Sequence, residues 1–192
     1  MDGLDGSSNF VKNGAQSVAG TMFSVYKGDN PTFNDCIACC IVQYLIGRAT
    51  VFIFNNETNL LEDRSCQFSD NKNGFEIPES DIYLDKHFDT NKKFFSSYLE
   101  NSLYLGASAH YYADILCGRS SLVLECTRKK NLEMISVIPA ALSVGIKIFD
   151  KDFKEVKGTD SVLDFYNQED LIPYMFVANT SNQQELINNL KL

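Results

Sequence analysis

The sequence predicts a layered α/β protein, and three observations carry that expectation. Stretches of loosely alternating apolar residues rich in β-branched and aromatic side chains mark strands, as in QSVAGTMFSVY. Apolar residues at three- and four-residue spacing mark helices, as in NKKFFSSYLEN. In the second half the two kinds alternate along the chain, with no repeat, low-complexity tract or flexible linker between them.

Taken in order, residues 16 to 26 form the first strand, and KGDNPTFND is a turn-rich connection. CIACCIVQYLIG and ATVFIF read as two buried strands around Gly47, with helix the rival for the first. Residues 55 to 90 are polar, with turns at Asn55-Asn56 and from Asn71 to Gly74. Asp89 or Thr90 caps a helix over NKKFFSSYLEN whose apolar side carries Phe94, Phe95, Tyr98 and Leu99. ASAHYYADILCG is helical and ends naturally at Gly118. SLVLEC is a short buried strand. Residues 133 to 145 are helical, and Pro139 should kink that helix or begin it. GIKIFD and PYMFVAN are strands, and Ser181 caps a final helix over NQQELINNLKL.

Composition narrows the function classes. The chain has 192 residues, 44% hydrophobic and 12% aromatic, which suffices for a substantial core. Its 17 Lys and Arg against 25 Asp and Glu leave a formal net charge of −8, a surface that repels phosphate backbones. The longest basic run, Arg128-Lys129-Lys130, suits a solvated turn better than a nucleic-acid site. The most apolar runs fall short of the ~20 residues that span a bilayer. No charged and then apolar leader precedes the first motif, so no secretory signal is expected. Cys36, Cys39 and Cys40 contain one C-x-x-C without a second pair at ligand spacing. The six cysteines therefore read as small buried apolar side chains in a reducing cytoplasm.

The chemistry concentrates at the very start, in DGLDGSSNF. Asp2 and Asp5 stand three residues apart in one glycine-containing segment. At ~5 Å and an effective dielectric of ~20, two carboxylates repel by about 3 kcal/mol. A divalent cation reverses that sign, and hard oxygen ligands suit Mg²⁺. The small residues after Asp5 allow backbone N–H groups and the Ser7 and Ser8 hydroxyls to approach an anion. A polar surface turn is the competing reading of the same residues.

DGLDGSSNF resembles the D-P-[LI]-D-G-[ST]-[ST]-N loop of the lithium-sensitive, Mg²⁺-dependent phosphatases, which include inositol monophosphatase and fructose-1,6-bisphosphatase. SVAGTMFSVY resembles the next strand of fructose-bisphosphatase, and YLIGRATVFIF its Y-x-x-G-[SA]-A-T strand. YLGASA is similar to the G-S-[AL]-A segment of both families, and PYMFVANTSNQQELINNL to their closing strand, Ala-Asn turn and terminal helix. The resemblance implies a layered α-β-α-β-α sugar-phosphatase fold, truncated at the N-terminus. Residues 1–100 would be the remainder of the first sheet domain, and 101–192 the C-terminal α/β domain.

Carried over residue by residue, the resemblance implies a site that holds two or three Mg²⁺ ions in the intact family. Asp2 would bridge two ions, the Leu4 carbonyl would bind one and Asp5 the other. Glu133, in the first turn of a helix, would be the remote ligand. Ser7, with Gly6 and Ser8, would hold the phosphate and orient the attacking water. Glu125 would meet substrate hydroxyls, a surface charge at a strand end being the alternative. Three departures stand out. Gly3 replaces the usual proline, Ser121 stands where many monophosphatases have aspartate, and Pro139 lies deep in the Glu133 helix. Glu100 and Leu103 also replace the tyrosine and arginine of the bisphosphatase Y-x-x-R-Y-x-G segment.

The family carries two long helices and a metal-binding Glu-Glu pair ahead of this loop. Their absence here implies reduced turnover, exposed apolar sheet surface and a homodimer. The expected function is a cytoplasmic phosphomonoesterase acting on a small phosphorylated sugar or polyol, without nucleic acid or membrane. The alternative is a non-catalytic, protein-binding remnant of the same fold.

Overall fold

The computed structural model describes residues 2–13, 18–68, 80–84, 102–103, 105–127, 132–170 and 172–190. The helix expected over NKKFFSSYLEN with its caps, the turn at 71–74, Glu100 and the basic run at 128–130 lie outside the described residues.

The opening motif forms regular structure at once. Asp2–Asp5 is a strand, β1, and Ser7–Asn13 a short helix, α1, with Gly6 between them. Strands β2 (Gly20–Tyr26), β3 (Cys36–Gln43), β4 (Arg48–Asn55) and β5 (Leu60–Asp63) follow in an antiparallel sheet, with β1 at one edge. A two-residue strand, β6 (Cys66–Gln67), also pairs with β4. The strand reading of CIACCIVQYLIG holds against its helical rival. A turn closed by Gly47 N–H on the Tyr44 carbonyl, with Gly47 at φ +62°, returns the chain into β4. The turn expected at Asn55-Asn56 follows the end of β4, and the polar stretch after it also holds β5 and β6, which are too short to show an alternation.

The second sheet is mixed. It comprises β7 (Ile82–Leu84), β8 (Ser102–Leu103), β9 (Leu122–Thr127), β10 (Lys147–Asp150) and β11 (Ile172–Val177), in the order β10-β11-β9-β7-β8. Helices α2 (Ser108–Leu116) and α3 (Leu132–Ser143) lie between the sheets. A short α4 (Val162–Asn167) is capped by Ser161, whose hydroxyl accepts the Asp164 N–H. Helix α5 (Gln183–Leu190) starts two residues later than Ser181. The two-residue period of β9 and β11 separates the layers. Val123, Tyr174 and Phe176 face α2 and α3, while Leu122, Leu124, Met175 and Val177 pack with Ile187 and Leu190 of α5.

Pro139 neither kinks nor begins its helix; α3 runs through it. Proline has no N–H to give the carbonyl four residues back, which is that of Ile135. The half-buried Tyr26 hydroxyl from β2 donates to that carbonyl instead. One strand side chain thus replaces the lost helical bond and ties α3 to the first sheet. On the outer face of that sheet Val25 and Ile53 lie in one cross-strand row with Ala38, and each is 46% exposed. Among the cysteines whose side chains are described, Cys36, Cys39 and Cys40 are buried, whereas Cys66 is exposed, against expectation. No described helix is long and apolar enough to cross a membrane.

Helix α2 carries polar groups into the interior. Tyr83 donates to Asp114 at 2.7 Å, and Arg119 closes on the same carboxylate at 2.5 Å, so β7 is fastened to the helix. His110 is 1% exposed. Burial holds its imidazole down to about 4, against a smaller opposing pull from the Ala19 backbone. Between that value and the ordinary 6.5 the unfolded chain binds the extra proton, so stability rises with pH through this window. Lowering the pH from 7 to 4 should therefore cost up to about 3 kcal/mol through His110 alone. Urea melts of the wild type and His110→Asn across that range check it, the variant showing the shallower dependence.

Gly20 marks the seat of α2 on β2. A Cβ there would stand 2.5 Å from the Ala109 Cβ and 2.5 Å from the Val42 carbonyl oxygen. Gly20→Ala should lower stability by about 1 to 3 kcal/mol, the usual cost of overpacking, measured as a lower urea midpoint at unchanged slope.

Candidate functional site

The site is built from β1, the turn after it and the first turns of two helices. Asp5 closes β1 and is only 7% exposed. A buried carboxylate is costly unless it accepts hydrogen bonds. Asp5 Oδ2 accepts the backbone N–H of Ala109 at 2.6 Å, in the first turn of α2. The donor belongs to the positive end of a helix, which favours the ionised acid.

Gly6 follows at φ +74°. A Cβ there would lie 2.7 Å from the Val18 carbonyl oxygen and 2.8 Å from the Ala107 Cβ. Both conformation and space therefore demand glycine. The Gly6 carbonyl accepts the N–H groups of Asn9 and Phe10 at 2.9 and 3.0 Å, which starts α1 immediately. Ser7 is exposed on its first turn. Asn9 fastens the turn to two distant segments, donating through Nδ2 to the Val18 carbonyl at 2.9 Å and the Leu105 carbonyl at 3.1 Å. Its amide lies 3.0 Å from where a Gly106 Cβ would stand, so Gly106, at φ +75°, is part of the same fit.

The expected site residues divide as follows. Asp2 and Leu4 lie in β1 and Ser8 in α1 by their backbones, while their side chains lie outside the described residues. Asp5 and Gly6 are held as above. Glu133 is half-buried in the first turn of α3, and α3 packs against β1. Glu125 is 2% exposed in β9 opposite Tyr174, so it is not a surface charge at a strand end. Glu125 belongs to the second sheet and Asp5 to the first. Asp5 and Glu133 offer the hard oxygen donors that suit Mg²⁺. Among the described residues no three His, Cys, Asp or Glu side chains form a ligand cluster, and the Asp2 carboxylate is not among those described.

Sequence reasoning missed Ala109 and the bridging role of Asn9. Ala109 acts through its backbone, which no residue type announces. Asn9 stands inside the opening motif, yet its partners lie 9 and 96 residues away.

No known protein-family profile and no curated protein matches the sequence. Solved structures do. An inositol monophosphatase/NADP phosphatase complexed with Mg²⁺ and phosphate superposes with a TM-score of 0.60 at 14% identity, covering 98% of this chain. An inositol monophosphatase family protein from Staphylococcus aureus gives 0.62 at 13% identity over 99% of this chain. A staphylococcal inositol monophosphatase complexed with products gives 0.61 at 14% identity over 97%. The chain spans 64%, 66% and 64% of these structures respectively. The chain has the α/β fold of the inositol monophosphatase structures over nearly its whole length, and it accounts for about two thirds of theirs.

Proposed function

We propose that this chain is a Mg²⁺-dependent phosphomonoesterase of the cytoplasm, acting on a small phosphorylated sugar or inositol. The observation that supports this reading most is the buried Asp5 carboxylate, held on the α2 terminus at the turn into α1, with Glu133 on the adjoining helix. Asp2, the Leu4 carbonyl, Asp5 and Glu133 would hold Mg²⁺. Bound Mg²⁺ supplies Lewis-acid stabilisation of charge on a phosphoryl oxygen.

The chain's own residues do the rest. The Ala109 N–H fixes the rotamer of Asp5, so that ligand needs no reorganisation on binding. Gly6 brings the backbone close enough for the Gly6–Ser8 segment to face the phosphate. Ser7 offers a hydroxyl to that phosphate and to the attacking water. Glu125, placed on the second sheet, would accept hydrogen bonds from substrate hydroxyls. Residues 1–100, whose β7 pairs into the second sheet, and residues 101–192 would meet at this site.

A second reading is favoured by the exposed Val25 and Ile53 on the first sheet. The chain would then keep the fold for a protein partner, which includes a second copy of itself, without turnover.

Titrating Mg²⁺ into the full chain decides between them. At about a hundredfold excess over Kd, binding adds about 2.7 kcal/mol, a rise in Tm of about 5 to 10 °C for this size. Asp5→Asn and Glu133→Gln should each abolish most of that rise. Phosphate should be released from a panel of sugar and inositol phosphates by the wild type and not by Asp5→Asn. A Tm indifferent to Mg²⁺, with no phosphate released, would contradict the enzyme reading.

A further inference from the structure

The strand register aligns a polar row across the first sheet. Asp5 of β1 stands opposite Gly20, Gly20 opposite Gln43, and Gln43 opposite Arg48. Directly opposed residues share one face of a sheet. This face lies against α2, and each member of the row meets that helix or, for Arg48, the Cys117 cap that ends it. Asp5 accepts the Ala109 N–H at 2.6 Å, and Gly20 leaves room for the Ala109 methyl group. Gln43 Nε2 lies 3.2 Å from His110 Nδ1, and Arg48 donates to Cys117 Sγ at 3.0 Å. An amide nitrogen only donates, so His110 Nδ1 accepts and the ring proton sits on Nε2.

The Gln43–His110 pair is unusual in its setting. Both residues are 1% exposed, and Gln43 Oε1 closes no hydrogen bond of its own, while the His110 ring is otherwise met by the Ala19 backbone. Two apolar side chains of similar volume would fill this space without leaving polar atoms unpaired. A directional bond does what apolar packing does not: it allows one rotation of the helix about its axis. Rotation matters here because Ala109, the residue before His110, carries the N–H that reaches Asp5. With Arg48 holding the far end at Cys117, the row sets both the rotation and the axial position of α2.

We propose that Gln43 and His110 are positioning residues for Asp5. Their hydrogen bond holds α2 so that the Ala109 N–H points at the carboxylate. The geometric claim stands without the metal, and its consequence for Mg²⁺ rests on the proposed function above.

The test follows the Ala109 amide by NMR in the full chain. In the wild type this proton should resonate downfield and exchange slowly, and Asp5→Asn should move it, which fixes the assignment of the bond. His110→Leu removes the acceptor at similar volume, whereas His110→Asn restores an oxygen near the place of Nδ1. In the leucine variant Ala109 should exchange about fivefold to tenfold faster relative to the Ala113 and Ile115 amides, the effect of one weakened hydrogen bond. The asparagine variant should return it towards the wild type, and the apparent Mg²⁺ affinity should fall and recover in step. Should His110→Leu fail to fold, Gln43→Met removes the donor and makes the same expectation.

A folded variant lacking the bond whose Ala109 amide is unmoved overturns the proposal. So does a result in which all α2 amides loosen together, or in which asparagine is as damaging as leucine. If the wild type ignores Mg²⁺, the phosphatase reading falls, and the amide measurement still decides the positioning role.

Discussion

One hydrogen bond, from the Ala109 N–H to the Asp5 carboxylate, joins residues 104 apart in sequence and sets the frame for everything around it. It fastens the edge strand of the first sheet to the helix sandwiched between the two sheets. Asp5 is buried with that donor on its carboxylate, and the donor is there only if α2 lies close on β2. Gly20 supplies the closeness, since any side chain would meet the Ala109 methyl group. Gly6 and Asn9 then carry the constraint outward, turning the chain sharply into α1 and fixing the turn to the carbonyls of Val18 and Leu105.

The second helix of the middle layer is fixed by a different device. Pro139 opens the hydrogen-bond ladder of α3, and the Tyr26 hydroxyl closes it from the first sheet. Burial pushes the Tyr26 phenol well above its ordinary range, so it remains a neutral donor throughout the working pH range. Both middle helices are therefore anchored to β2, α2 at its beginning and α3 at its end. Glu133 stands in the first turn of a helix whose position owes much to a tyrosine in β2.

Much of this was legible in the residues. The strands β3 and β4, the helices α2 and α3 and the closing β11–α5 unit follow from periodicity and from glycine at turns. The opening D-x-x-D-G motif pointed to hard-cation chemistry because a divalent cation reverses the repulsion of paired carboxylates, with a polar surface turn as the competing reading. What was not legible depends on distance along the chain. β5 and β6 are too short for an alternation to register, and β1 looked like a loop because its partner β2 lies more than a dozen residues on. Pro139 looked like a break because nothing near it showed that Tyr26 would replace the missing donor. Glu125 looked like a possible surface charge because burial at a strand end is decided by the helices packed over it.

The central claim is that Asp5 is a carboxylate held ready for a divalent cation. Crystals of the full chain soaked in Mn²⁺, an anomalously scattering substitute for Mg²⁺, test it most directly. The account predicts an anomalous peak bound by the Asp5 and Glu133 carboxylates, beside the Gly6 turn. A map without a peak at Asp5, or with Mn²⁺ held only by residues that exclude both, would contradict it.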